Sequence, residues 1–120
     1  MRVSGCLFVL VLCTSYSLNS YALSYFLDGN GLHTHAVEYR KLIEGSQGAN
    51  SLVAGMFVGF IKGVTDTTFK TGLYCLPNNI TTGKDDEMVA NYLEKHPEKW
   101  NQPAVDIVVK AMQETYPCPK

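Results

Sequence analysis

Few side chains in this sequence stand at spacings that do chemistry. His33 and His35 form an H-x-H pair. One helical turn brings residues i and i+4 together, not i and i+2. Structural zinc asks for four ligands, and no third ligand stands out, so neither a metal nor another cofactor is expected. Ser46 and Ser51 lie in or beside a plain linker, without the strand–turn–helix elbow that exposes a nucleophilic serine. Asp66 and His96 are a pair such as any small protein offers. No glycine-rich loop follows a strand, so no phosphate cradle is suggested. The expectation is a protein with no catalytic residue, a binder rather than an enzyme.

For a binder, the stretch His96-Pro-Glu-Lys-Trp-Asn-Gln-Pro103 is the best candidate surface. It is a short loop between two prolines, which lower the entropy lost on docking. It carries His96, Glu98, Lys99, Trp100 and Asn101. Trp is the residue type most enriched among those that carry interface energy. The competing reading makes Trp100 a core residue that covers the join between two helices.

The elements around this loop belong to an exported chain. Residues 1–22 open with Arg2, run through the apolar stretch Leu7–Leu12 and end in Ser20-Tyr21-Ala22, the pattern of a cleaved secretory signal peptide. The apolar run is far short of the ~20 residues of a membrane anchor. Residues 23–120 then form one small domain, with nine Lys and Arg against eleven Asp and Glu, a net charge of −2. That balance lacks the basic footprint of a nucleic-acid binder. Two cysteines remain after the signal, Cys75 and Cys118. An even pair in an oxidising compartment reads as one disulfide, which would tie the proline-flanked tail Tyr116-Pro-Cys-Pro119 to the body.

After an extended start, Leu23 to Asp28, the pattern is helical. Gly29-Asn30-Gly31 breaks the chain, and Leu32, Ala36, Tyr39 and Ile43 recur at helical spacing up to Gly45. Leu52, Val53, Met56, Phe57, Phe60, Ile61 and Val64 form the broad apolar stripe of a second helix. Gly55, Gly59 and Gly63 add a second stripe. Glycines in a line let another backbone approach, either from within the domain or from a second copy in a homodimer. Thr81 or Thr82 is expected to cap a third helix whose first turn holds Asp85, Asp86 and Glu87, where the helix dipole favours negative charge. Met88, Val89, Tyr92 and Leu93 form its buried face, and His96-Pro97 ends it. Pro103 opens a fourth helix that is apolar almost all round, and so central to the core or covered by a partner. With no alternating strand pattern, the class is all-α: a bundle of about four helices stapled by one disulfide.

Several of these pieces coincide with one family. Gly59, Phe60, Ile61, Gly63, Val64 and Asp66, then Cys75 and Pro77, then Tyr92, Leu93, His96, Pro97 and Glu98, then Pro103 and Ala104, and finally Pro117 and Cys118 follow in order. This ordered set resembles the Tai family, the type VI secretion amidase immunity proteins, also called Rap-type. Many relatives carry a second cysteine pair where this chain reads His33–Tyr39 and Ala54–Gly59 without cysteine. The opening of the third helix, Thr81–Glu87, is also more acidic than usual. The resemblance implies a bacterial periplasmic protein that binds and inhibits a peptidoglycan amidase toxin, thereby protecting the producing cell. It implies a homodimer and a loop pushed toward the toxin's catalytic cysteine–histidine site. Asp85 and Asp86 would join the loop at that contact. No nucleic acid, and no membrane once the signal is removed, is expected as a partner. The alternative function is a periplasmic chaperone, stress protein or envelope adaptor of the same fold.

Overall fold

The computed structural model describes residues 26–81 and 83–120. The expected signal peptide at residues 1–22 lies outside them. The described chain holds four α-helices: α1 (Gly29–Ile43), α2 (Ser51–Thr68), α3 (Lys84–Lys95) and α4 (Ala104–Thr115), with short 3-10 turns at Phe69–Thr71 and Pro97–Lys99. Among the described residues the only β pairing is an isolated antiparallel bridge between Asp28 and Pro103. The all-α expectation holds.

Helix α1 begins three residues before Leu32. Asp28 stands as its N-cap, and the carboxylate accepts the Gly31 amide at 2.8 Å. That cap satisfies one of the amides that every helix start leaves unpaired and draws Gly29-Asn30-Gly31 into the first turn. Leu32, Ala36 and Tyr39 point into the core as the spacing requires. In α2 the Asn50 side chain accepts the Val53 amide at 3.1 Å. The buried residues are Ala54, Phe57, Ile61, Val64 and Thr65. The broad apolar stripe read from the sequence is therefore only half buried: Leu52 is 74% exposed and Met56 46%.

Beyond α2 the chain turns through Gly72, which adopts the left-handed φ of +76°, and buries Tyr74. The Tyr74 hydroxyl lies 2.6 Å from Thr68 Oγ1. Cys75 follows and bridges to Cys118, 43 residues away. The Cys75 amide also donates to the Tyr116 carbonyl at 2.8 Å. The tail is thus fixed to the segment after α2, as expected. Closing a loop of this size removes unfolded-state entropy worth about 4 kcal/mol in the chain-entropy model.

Helix α3 starts without the expected threonine cap. Gly83, at φ +107°, is its N-cap and offers no side-chain bond, while the Lys84 amide reaches back to the Thr81 carbonyl at 3.1 Å. Three acidic residues in its first turn supply the electrostatic complement instead. Pro103 sits one residue outside α4, as its N-cap. Ala104, Ile107, Val108, Ala111 and Met112 are all buried, while Val105, Asp106, Lys110 and Glu114 are exposed, so one side of α4 forms part of the core and the other meets solvent. Fully buried aliphatic and aromatic side chains of this kind each stabilise by roughly 1.5–3 kcal/mol.

Candidate functional site

The loop between α3 and α4 is held from three sides. Its backbone receives the start of α1: the Gly29 amide donates to the Gln102 carbonyl and the Asn30 amide to the Trp100 carbonyl, both at 2.9 Å. The Asn30 side-chain amide donates to that same Trp100 carbonyl at 3.0 Å. The Trp100 indole N–H donates to the Leu93 carbonyl in the last turn of α3 at 2.9 Å. The Trp100 ring stacks on His33, with centroids 3.9 Å apart. A β-carbon on Gly29 would lie 2.6 Å from Trp100 Cα and 2.5 Å from Ile107 Cδ1. Only glycine permits so close a crossing.

Trp100 is half-buried at the α1–α3–α4 corner, where its stack and its hydrogen bond help to lock the fold. Its single donor is satisfied by the Leu93 carbonyl, and the side chain is only partly exposed. What the loop does expose is polar. Glu98 and Asn101 face solvent. Partly exposed His96 places Nδ1 2.9 Å from Glu98 Oε1, and that bond holds the Glu98 carboxyl below its usual range. Lys99 donates to the Tyr92 hydroxyl at 2.6 Å, which raises the lysine pKa. Tyr92 in turn donates to Glu114 at 3.3 Å. The loop surface is a preset pattern of charges on a rigid backbone.

Asp85 and Asp86 are turned inward, which corrects their expected place at the surface. They are 5% and 2% exposed. Lys62 of α2 lies between them, 3.9 Å from Asp85 Oδ2 and 3.3 Å from Asp86 Oδ1. One lysine thus faces two carboxylates. Burial pushes the Asp85 pKa up, Lys62 opposes this, and the neighbouring Asp86 adds to it. The physical reason for the inward turn is position: the first turn of α3 packs against α2, where Lys62 waits.

Two surfaces were not singled out by the sequence in this form. Gly55, Gly59 and Gly63 have no atom of another element within contact distance of where their β-carbons would be, so the glycine line does not serve packing within the domain. Between α2 and the start of α4 it opens into a cavity of about 400 Å³, walled by Gly59, Phe60, Gly63, Val64, Thr67 and Val105. The second is a cleft of similar volume along the outer face of α3, rimmed by Lys84, Glu87, Asn91 and Lys95 and floored by Tyr92 and Tyr116. Its signal in the sequence was the polar spacing of 84, 87, 91 and 95, one helix face seen end to end.

His33 and His35 do not converge on a ligand: His33 is spent on Trp100, and His35 Nδ1 is buried without a hydrogen-bond partner. Both described cysteine sulfurs are in the disulfide. Among the described residues no group of three or more His, Cys, Asp or Glu is placed to hold a metal ion.

A small stapled helical domain whose outward features are a rigid charged loop and an open helix face has the build of a binding protein. A family model, Rap1a immunity proteins, matches residues 28–118, and the chain belongs to that family. The match runs from the cap of α1 to the second cysteine of the disulfide, and so covers the whole four-helix unit. Comparison with curated proteins gives no match. The chain is accordingly an immunity protein, of a kind that acts against a secreted toxin.

Proposed function

We propose that this protein binds and blocks a peptidoglycan amidase delivered by type VI secretion, in the periplasm of the cell that makes it. The observation that carries the reading is the family match over residues 28–118, joined to the ordered motif set that resembles amidase immunity proteins. The disulfide supports an oxidising compartment, and residues 1–22 read as an export signal. Inhibition would be by occlusion, with no chemistry of its own.

The proposed contact is the exposed rim of the loop, His96, Glu98, Lys99 and Asn101, held in place by the buried side of Trp100. A backbone fixed by three hydrogen bonds loses little freedom on docking. Asp85 and Asp86 lie in the first turn of α3, at the far end of that helix from the loop, and are held by Lys62. A homodimer is part of the proposal. The exposed apolar side of α2, centred on Leu52, Gly55 and Met56 and running toward Gly59 and Gly63, is the face a second copy would cover.

The test is direct. A type VI amidase from the same genome is purified, and its hydrolysis of peptidoglycan is followed with and without this protein. Stoichiometric inhibition, weakened by Glu98→Lys, is expected. No inhibition, together with weak capture of many unfolded clients on the α2 face, would replace the immunity reading with a chaperone.

A further inference from the structure

The loop between α3 and α4 carries three titratable side chains, His96, Glu98 and Lys99, and one tyrosine sorts them. Tyr92, in the last turn of α3, is 8% exposed. Its ring is a platform for His96, four residues on, with centroids 4.2 Å apart. His96 Nδ1 stands 2.9 Å from Glu98 Oε1. An ionised carboxylate only accepts, so the proton of this bond sits on Nδ1. The Tyr92 hydroxyl takes the other side of the loop. Lys99 Nζ donates to it at 2.6 Å and lies 4.9 Å from the centre of the ring, a cation–π contact. The hydroxyl donates in turn to Glu114 Oε1 of α4 at 3.3 Å.

The two charges of the loop are thereby sent in opposite directions. The Lys99 ammonium is folded down onto α3 and α4, where its bond to Tyr92 and the charge of Glu114 favour it. The Glu98 side chain stays 62% exposed, and the bond from His96 holds it ionised. Trp100, Asn101 and Gln102 add no charge. A lysine next in sequence to a glutamate would otherwise hang over it, and each of these two already feels the other's charge. Without an acceptor on the inner side, Lys99 would cancel the field of Glu98 where a partner approaches.

We propose that Tyr92 is the positioning residue of the contact loop: it withholds the Lys99 charge and props His96, so that the loop meets its partner with the Glu98 carboxylate alone, and the partner group that receives this carboxylate is a cation. The inference deepens the immunity reading and rests on it for the identity of the partner. Within the contact, Lys99 then supplies fixed backbone rather than charge.

Two measurements separate this device from the choice of toxin. The first uses the purified protein by itself. In ¹H–¹⁵N correlation spectra of the lysine ammonium groups, Lys99 should give a slowly exchanging signal in the parent. That signal should be lost in Tyr92→Phe, which keeps the ring under His96. The second is the rate of association with the purified amidase. At low salt Tyr92→Phe should associate about tenfold more slowly, the lower end of electrostatic steering, and the gap should close as salt rises, with the helical circular dichroism unchanged. Adding Lys99→Met to Tyr92→Phe should recover the parent rate, because the freed cation is gone. Lost packing would not be rescued by removing a lysine. A Lys99 signal identical in parent and Tyr92→Phe would overturn the proposal, as would equal association rates or a double variant no faster than Tyr92→Phe. Faster association of Tyr92→Phe would make the partner group an anion and overturn the cation. A parent that does not bind the amidase would overturn the amidase reading, while the Lys99 signal, measured without toxin, still supports or overturns the sorting of charge.

Discussion

Glycine means opposite things at the two ends of this fold. At the α1–α4 corner Gly29 is there because a backbone passes within van der Waals contact, and a β-carbon would strike Trp100 Cα at 2.6 Å. Along α2, Gly55, Gly59 and Gly63 face open space. The first is a glycine of close packing, completed within the chain. The others make a surface that the described residues leave uncovered. The residue type is the same in both places, and only the three-dimensional neighbour tells which role it plays. The lesson for an immunity protein is a division of labour. The loop that meets solvent with charge is held by the packed corner, while the apolar side of α2 is left uncovered by the described residues.

The largest effect that would test the packed corner is loss of its ring. Trp100→Ala removes the stack on His33 and the donor to Leu93, and because the ring is only half-buried the cost should reach at most the low end of the ~3–5 kcal/mol of a fully buried Trp. Chemical denaturation should show a midpoint lowered accordingly, with toxin affinity lost only as far as the loop is disordered. A variant that keeps its stability and loses binding would move Trp100 back to the surface. Gly29→Ala comes next. Overpacking against backbone is expected to cost about 1–3 kcal/mol, read in the same titration, and a neutral result would mean that the crossing is looser than 2.6 Å implies.

On the open face the sign reverses. Gly55→Ala removes a helix-interior glycine that touches nothing, so the monomer should gain up to about 1 kcal/mol. Sedimentation equilibrium run beside the melting curve sharpens the contrast. A loss of stability together with loss of a dimer would show that a second backbone approaches at Gly55.

The four helices and the disulfide were legible because each rests on local spacing or on simple counting: Leu32, Ala36 and Tyr39 on α1, Val89, Tyr92 and Leu93 on α3, two cysteines after the signal. The inward side of α2 was not. Leu52, Val53, Met56, Phe57, Phe60, Ile61 and Val64 make a stripe too wide for periodicity to choose a direction; burial kept Phe57, Ile61 and Val64, added Ala54 and Thr65, and left Leu52 and Met56 exposed. The glycine line was visible, but whether it was filled depends on residues far off in sequence. Asp85 and Asp86 were read by helix-end electrostatics alone, which places charge at a terminus without saying which way it turns. Lys62, 23 residues earlier, decides that. For Trp100 both readings were open, because its contact with His33 is long-range and only the fold shows it half-buried there.

Between the packed corner and the open face stands Lys62, next to Gly63 on α2 and shared by Asp85 and Asp86. The smallest predicted effect lies there. Burial raises the folded-state pKa of Asp85 above its unfolded value. Between those two values the folded chain binds more protons than the unfolded one, so this carboxyl makes stability rise as pH falls and withdraws that contribution as pH rises through the folded pKa. Glu38 and Glu98 act with the opposite sign. Their pKa values are lowered, by the Asn50 amide and by His96 respectively, and their contribution is lost on acidification, though both are well solvated and screened. Asp85→Asn isolates the buried group, since Lys62 keeps Asp86 at 3.3 Å. The variant should be favoured over the parent at pH 7, and the difference in urea midpoint should shrink steadily toward pH 4, as the parent's Asp85 takes up its proton. A difference that stays constant across that range would mean that Lys62 alone balances both carboxylates and that the joint between α2 and α3 carries no unneutralised charge.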